Sequence, residues 1–103
     1  MAELDEHVVA PARLRLMTTL TAVSEAEFAT VREALDVSDS VLSKHLSALE
    51  DLGYLRRHKG VHHGRRTTWI SLTSRGRRAL SAHVDGLRAL IDGIDASAAP
   101  PRA

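Results

Sequence analysis

Leucines recur at helical spacing in the central part of the chain. Four of them follow one another at steps of four, three and three residues, which places them on one stripe of an α-helix: Leu42, Leu46, Leu49 and Leu52. The opposite face carries short hydroxyl side chains and one cation: Ser40, Ser43, Lys44 and Ser47. Ser38 suits the N-cap position, and Gly53 suits the position just beyond the last turn. The pattern predicts an amphipathic helix over residues 39–52.

Two further helical patterns precede this helix. The first covers residues 4–22 and has apolar residues three apart at Leu14, Met17 and Leu20. Pro11 divides it into a short helical turn and a longer helix, because proline fits the first turn of a helix and breaks an interior. The second covers residues 29–35, and residues 36–38 form a three-residue turn that follows it. A short helix, a tight turn and a second helix predict a helix-turn-helix arrangement.

The period of the pattern changes to two after Gly53. Alternate residues are predicted to face the core at Thr68, Ile70 and Leu72, and the residues between them face outward at Thr67, Trp69 and Ser71. We interpret Trp69 as a partly covered surface aromatic. Gly60 and Gly64 bracket a short segment upstream, so the region is predicted to be a β-hairpin with a basic tip.

A final helix is predicted from about residue 74 to residue 92, with Thr73 as its cap. Its apolar residues form a heptad-type seam: Leu80, Val84, Leu87, Ile91 and Ile94. The seam either packs only on the first helix of the same chain or pairs with a second copy. We favour a dimer that this helix forms together with the N-terminal segment around Val8. Residues 95–103 are rich in Ala and Pro and are predicted to be a disordered tail, which leaves residues 1–94 as one domain.

Charge is distributed unevenly along the chain, although the formal net charge is only +1. Residues 52–84 contain eight Lys or Arg and no acidic residue, whereas residues 1–51 contain ten acidic residues and four Lys or Arg. A long cationic stretch without anions is typical of phosphate contact, and a solvated face would mix the two signs. The charge pattern therefore favours a nucleic acid as partner.

Several other classes of function are excluded or disfavoured. The absence of cysteine excludes disulfides, thiolate metal sites and cysteine nucleophiles. The sequence has no Gly-rich phosphate loop, paired carboxylates or nucleophile elbow, so we expect neither an enzyme nor a cofactor. Adjacent His62 and His63, and the pair His83 and Asp85, lack the spacing of a metal site on one helix face. No apolar run approaches the roughly 20 residues of a membrane span, and no signal peptide opens the chain, so we expect a cytoplasmic protein.

The predicted order of elements is that of a winged helix-turn-helix, a mainly α fold with a small β-hairpin (α+β). The stretches FATVREALDVSDSVLSKHLSALEDLGYLRRHKG and GRRTTWISLTSRGRRAL resemble the short winged-helix transcriptional regulators related to the MarR and ArsR groups. The resemblance covers roughly residues 10–90 and is carried by S-K-H-L at 43–46, L-E-D-L-G-Y-L at 49–55, the basic wing, and L-T-S-R-G-R at 72–77. It implies a homodimeric DNA-binding regulator, usually a repressor, with N- and C-terminal dimerisation helices. The cysteine and Asp-x-His…His-x-x-Glu sets of ArsR-like metal sensors are absent.

The helix of residues 39–52 is predicted to lie in the DNA major groove, with its N-terminal half nearest the bases. Its predicted contacts are Ser38, Ser40, Ser43, Lys44 and Ser47. The wing of residues 56–67 is predicted to grip the backbone or the minor groove through Lys59, His62, His63, Arg65 and Arg66. His45 is predicted to pack between helices with a hydrogen bond to backbone. Three cations of the last helix either touch phosphates or pair with acids of residues 1–51: Arg75, Arg77 and Arg78.

Two functions from different classes fit these features. The first is a sequence-specific regulator that binds double-stranded DNA at a pseudo-palindromic operator, because a two-fold dimer presents two reading helices one DNA turn apart. The second is a protein-interaction module that uses the winged-helix scaffold and the apolar seam to bind a partner subunit. MarR-like proteins of full length carry additional helices that frame a ligand pocket, and this chain is shorter. The sequence leaves open whether a small-molecule effector binds.

Overall fold

The structure is a computed structural model that describes residues 10–98, with side chains described as far as residue 94. Within this range, helices and strands follow one another as α1 (Pro11–Thr21), β1 (Ala26–Glu27), α2 (Phe28–Leu35), α3 (Asp39–Asp51), β2 (Leu55–His62), β3 (Arg65–Leu72) and α4 (Ser74–Ala98). The mainly helical winged helix-turn-helix predicted from the sequence is confirmed. Val8 and the turn predicted upstream of Pro11 lie outside the described residues.

The turn between α2 and α3 is as short as predicted. Asp36 ends α2 in the left-handed conformation with φ 54°, and the backbone N–H of Val37 donates to the carbonyl of Arg32 at 3.3 Å. The Ser38 hydroxyl then accepts from the backbone N–H of Val41 at 3.2 Å and caps α3. At the other end, Gly53 has φ +76° and closes the helix with a bond to the Glu50 carbonyl at 2.8 Å. These local caps hold α3 in a defined position after α2.

The hairpin of β2 and β3 is also confirmed, and the sheet has a strand that the sequence did not reveal. The strands pair antiparallel from Leu55 with Leu72 to His62 with Arg65, in the order β1-β3-β2. His63 and Gly64 form the two-residue turn with φ of 52° and 75°, the combination of a type I′ hairpin turn. The third strand is β1, in a segment predicted to be a link. Two residues are too few to show a period, so only the pairing with β3 identifies it.

The core lies between the four helices and the sheet. Twelve residues form one buried cluster: Leu16, Met17, Leu20, Val31, Leu35, Leu42, Leu46, Leu49, Leu55, Ile70, Leu72 and Leu80. The predicted leucine stripe of α3 accounts for three of them, each fully buried. Leu52, the fourth residue of that stripe, follows the last turn of the helix and is only partly buried. The core therefore holds the side of α3 that carries leucine and leaves the serine side exposed.

The last helix differs from the prediction in its length and in its seam. It continues to Ala98, so residues 95–98 have helical backbone although they were assigned to a disordered tail, whereas residues 99–103 lie outside the described range. Ala is the strongest helix former, and no proline occurs before Pro100 in this part of the chain. Leu80 packs in the core of its own chain with 6% exposure, and Val84 is half-buried. Four residues beyond them are exposed: Leu87 (36%), Leu90 (52%), Ile91 (54%) and Ile94 (63%).

A buried histidine interrupts the inner face of α4. His83 is only 2% exposed, and within the described part of the chain its Nδ1 has no hydrogen-bond partner. A buried polar atom without a partner costs about 1–3 kcal/mol. We expect His83→Leu to raise the free energy of unfolding by about 1 kcal/mol in urea titrations. His83→Gln retains buried polar atoms and should give no such gain; a His83→Leu protein less stable than the wild type would show that His83 is satisfied in solution.

Candidate nucleic-acid interface

The exposed face of α3 lies opposite its leucine stripe. Four residues at steps of four, three and four point outward, and all are exposed: Ser40, Lys44, Ser47 and Asp51. Ser38 is exposed at the N-cap, whereas Ser43 is half-buried at the side of the helix. Asp51 and Val41, which is 42% exposed, were not among the contacts predicted from the sequence. Because Asp51 would repel phosphates, the surface suited to DNA is the N-terminal half of α3.

The start of α3 is held by polar contacts. The Ser38 hydroxyl caps the helix and lies 3.2 Å from the Ser40 hydroxyl. Arg32 of α2 donates to the Asp39 carboxylate at 2.8 Å, and this hydrogen bond, together with the charge of Asp39, raises the pKa of Arg32. Since the Ser38 hydroxyl is occupied as a cap, Ser40 and Lys44 are the better placed of these residues to contact bases.

The buried side of α3 is tied to α1 through His45. The Nε of Arg13 donates to the Nδ1 of His45 at 3.3 Å, so the predicted packing role is correct but the partner is a side chain and not backbone. Burial lowers the pKa of His45, and the positive charges of Arg13 and Lys44 lower it further. His45 is therefore favoured in the neutral form that can accept this hydrogen bond.

Arg57 connects the wing to α3. Its Nη2 lies 2.5 Å from Oε1 of Glu50 and donates to the Ser47 hydroxyl at 3.3 Å. Both ionic side chains are about 30% exposed, so water covers the pair only in part. Arg57 belongs to the predicted wing of residues 56–67 but was not among its predicted DNA contacts. From its position in β2, Arg57 instead bridges the strand to α3 through Ser47 and Glu50.

The wing presents its cations on two faces because side chains alternate along a strand. Lys59, Val61 and Arg66 share the face of Arg57. The same three residues line an open cavity of about 550 Å³ together with Phe28. This is also the face from which Arg57 reaches Ser47 and Glu50 of α3.

The opposite face of the wing carries Arg65 and His62, which is already engaged there. The Nε2 of His62 lies 3.1 Å from Oε1 of Glu27, whose other oxygen accepts from the Thr67 hydroxyl at 3.0 Å. The His62 ring also meets Trp69 edge to face, with ring centroids 5.4 Å apart. Trp69 is therefore partly covered, as predicted. His62 is engaged by Glu27 and Trp69, so it stabilises the wing and is not a free hydrogen-bonding group.

The three arginines at the start of α4 do not behave alike. Arg77 donates from its two Nη atoms to the carbonyls of Thr21 and Val23, both at 3.3 Å. The sequence predicted either phosphate contact or pairing with acids of residues 1–51. Arg77 instead binds carbonyls at the end of α1 and just beyond that helix. Arg75 and Arg78 are exposed. Arg77 thus fixes α4 against α1, and the other two remain accessible to phosphates.

The described residues contain neither a metal cluster nor a membrane-spanning helix. In that part of the chain, no three His, Cys, Asp or Glu side chains come close enough together to hold a metal ion. None of the helices in residues 10–98 combines the length and the apolar character that crossing a bilayer requires.

The chain is similar to known regulators over most of its length. A protein of Methanocaldococcus jannaschii without assigned function is 30% identical over 83 residues, which are 81% of this chain and 90% of that protein. The structure of a transcriptional regulator homologue from Pyrococcus horikoshii has a TM-score of 0.82 and 28% identity, and the match covers 88% of this chain and 90% of that one.

The fold also matches a regulator that has been solved on DNA. The transcriptional regulator MosR of Mycobacterium tuberculosis, in complex with DNA, has a TM-score of 0.67 at 19% identity, over 92% of this chain and 68% of that one. The family described as a winged helix DNA-binding domain matches residues 12–91, which include every helix and strand of the fold except the ends of α1 and α4. The protein belongs to the winged helix DNA-binding domain family and is a winged helix transcriptional regulator.

Proposed function

We propose that this regulator is a homodimeric repressor that binds a pseudo-palindromic operator, with α3 in the major groove and the wing on the backbone. The observation that carries the proposal is the continuous surface that runs from the exposed half of α3 through Arg57 to the cations of the wing. A rigid connection of this kind lets one docking position serve both groove contact and phosphate contact.

The two parts of this surface have different roles in the proposal. The outer face of α3 has one cation, Lys44, among serines, and such a face suits base edges better than phosphates. The wing offers exposed cations on both faces at Lys59, Arg65 and Arg66, with His63 exposed at the turn. Phosphate contacts position a protein and base contacts specify the sequence. We therefore assign specificity to α3 and most of the affinity to the wing.

The dimer in this proposal uses the distal part of α4. Its exposed apolar residues occupy positions i, i+3, i+4 and i+7 of one helix face: Leu87, Leu90, Ile91 and Ile94. A patch of this pattern can pair with the same patch of a second copy across a two-fold axis. The two copies of α3 would then read half-sites about one helical turn apart.

Selection from random duplexes followed by sequencing tests the function directly. The purified protein should enrich one motif with two-fold symmetry, and the affinity for that motif should fall steeply as salt is raised. Enrichment of no motif, with duplex affinity no higher than that of a neutral control protein at low salt, would reject the proposal.

Removal of the wing arginines should weaken binding without changing its specificity. In a dimer, the double variant Arg65→Ala and Arg66→Ala removes four cations, so the slope of log affinity against log salt should become shallower by roughly 4. Lys44→Ala should instead change which sequences are selected. Arg15→Ala removes one charge from α1 and serves as the control, with an unchanged slope. Equal losses of affinity for all three proteins would contradict the division of roles.

A second candidate function is a protein-interaction module, and the exposed apolar face of α4 favours it. Under this second function, charge reversal at Arg65 and Arg66 leaves the activity of the protein in its host intact, whereas Leu87→Asp abolishes that activity. Gel filtration during a DNA titration distinguishes the two functions, because the repressor requires both the wing and the α4 face.

A further inference from the structure

The exposed surface of α3 has one edge that is apolar. Val41 is 42% exposed in the first turn of the helix, and Ala48, two turns later on the same edge, is half-buried. Lys44 lies between them at i+3, and Ser40 and Ser47 form the neighbouring polar edge. Among the residues of α3 that face DNA in the proposed complex, Val41 is thus the one with a large apolar side chain.

Exposure of one valine is ordinary on a protein surface, so it is the position of Val41 that matters. Val23 is exposed to the same 42% but lies in the link between α1 and β1. Val41 instead occupies the N-terminal turn of α3, the part of the helix that approaches base edges in this class of domain. Its neighbours in sequence are an exposed serine and a buried leucine, so it marks the border between the reading face and the core.

The position of Val41 is also rigid. Its backbone N–H donates to the Ser38 hydroxyl at 3.2 Å, and the helix start is further held by the Arg32 contact with Asp39 at 2.8 Å. Its branched side chain has one strongly preferred rotamer in a helix. Two methyl groups are therefore presented at a constant height above the helix surface, and their burial against a partner would cost little conformational entropy.

We propose that Val41 reads thymine through an apolar contact with the C5-methyl group, so that the half-site contains a thymine whose methyl is required. The proposal rests on the repressor function proposed above. Among the four bases, only thymine places a methyl group in the major groove, and this group is recognised by apolar side chains. Hydroxyl side chains bond to several base edges, so the serines of α3 discriminate weakly, and Val41 supplies the discrimination that they lack.

Replacement of thymine by deoxyuridine tests the contact, because it removes the methyl and leaves the base-pairing edge unchanged. Each thymine of the selected operator is replaced in turn, symmetrically in both half-sites, and affinity is measured by fluorescence anisotropy. For the wild type, one position should lose about fourfold in affinity per half-site, or about fifteenfold for the symmetric change. For Val41→Ala, the same replacement should have almost no effect. Val23→Ala, matched in residue type and exposure, should retain the full effect.

Each outcome has a distinct meaning. Loss of the deoxyuridine effect in Val41→Ala, with retention in Val23→Ala and a normal helical circular dichroism spectrum in both, supports the contact. An equal effect in wild type and Val41→Ala assigns the methyl contact to another residue and overturns the proposal. Tight binding without any sensitive thymine also overturns it while leaving the repressor function intact. Failure to bind or enrich any duplex instead rejects the repressor function, and the thymine contact with it.

Discussion

Ile91→Asp should convert the protein to a monomer and reduce its affinity for the operator by more than about a hundredfold. Ile91 is 54% exposed and belongs to an apolar face with Leu87, Leu90 and Ile94. In the proposed two-fold dimer, each substitution places a carboxylate in an interface that excludes water, and the symmetry brings two of them to it. An unpaired buried charge costs several kcal/mol, which a small helical interface does not offset.

The loss of affinity follows from the loss of the second half-site. One small module gains mainly the non-specific phosphate contacts, with dissociation constants of about 10⁻⁴–10⁻⁶ M, whereas a specific dimer reaches about 10⁻⁸–10⁻¹¹ M. Because Ile91 is exposed in the protomer, the substitution should leave the fold and its circular dichroism spectrum unchanged. Sedimentation equilibrium gives the mass of the protein, and anisotropy gives the affinity.

Ala89→Asp is the matched control for this experiment. Ala89 is exposed on the same helix but faces away from the apolar residues. Its substitution therefore adds the same charge two residues along the helix from Ile91, outside the apolar face. It should remain dimeric and bind the operator nearly as well as the wild type. A dimeric Ile91→Asp protein, or equal losses in both variants, would mean that α4 does not form the interface.

The seam of α4 shows what a sequence pattern can and cannot determine. The repeat predicted one apolar face, and the structure has that face, but its residues divide between core and surface at Val84. The 11 residues of α1 span about 16 Å, whereas the 25 residues of α4 span about 38 Å. The first helix is therefore too short to cover the last one. A periodic pattern reports which side of a helix is apolar, and only the lengths and positions of its neighbours decide which residues they bury.

The same distinction applies to the candidate interface. The caps of α3 and its leucine stripe could be predicted because they depend on residues within one or two turns. The contacts of Arg57 with Ser47 and of Arg77 with the Val23 carbonyl could not, because they join residues that are distant in sequence. The wing cations were predicted as one group. Their division between two faces follows from the strand register that the turn at His63 and Gly64 sets.

Gly76→Ala should destabilise the fold by about 3 kcal/mol, a large effect for the addition of a single methyl group. Gly76 is buried in the first turn of α4, against the backbone of Tyr54. A methyl group at this position would overlap the Tyr54 carbonyl oxygen and lie 2.9 Å from the carbonyl carbon. The obstacle is backbone, so rotation of a side chain cannot relieve the overlap.

The first turn of α4 and the segment at Gly53 and Tyr54 cannot move apart without the loss of hydrogen bonds. The Tyr54 carbonyl accepts from the backbone N–H of Thr73 at 3.0 Å, and the Thr73 hydroxyl accepts from the N–H of Gly76 at 3.0 Å while it donates to the Gly53 carbonyl. The first turn of α4 is thereby joined to the end of α3 and the start of β2. A shift at Gly76 would disturb the cap of α4 and also the position of α3.

Thermal unfolding provides the measurement, and Gly93→Ala provides the matched control. About 3 kcal/mol corresponds to a fall in Tm of about 12 °C or more for a domain of this size. Gly93 lies in the same helix, and apart from the adjacent backbone of that helix no atom of the described residues lies within 4 Å of an added methyl. Its substitution should raise Tm slightly, since alanine is favoured over glycine in a helix by up to about 1 kcal/mol. If the two variants have the same Tm within about 3 °C, the close packing of α4 on the Tyr54 backbone does not exist in solution. A low Tm for Gly76→Ala alone would confirm that the first turn of α4 packs closely on the Tyr54 backbone.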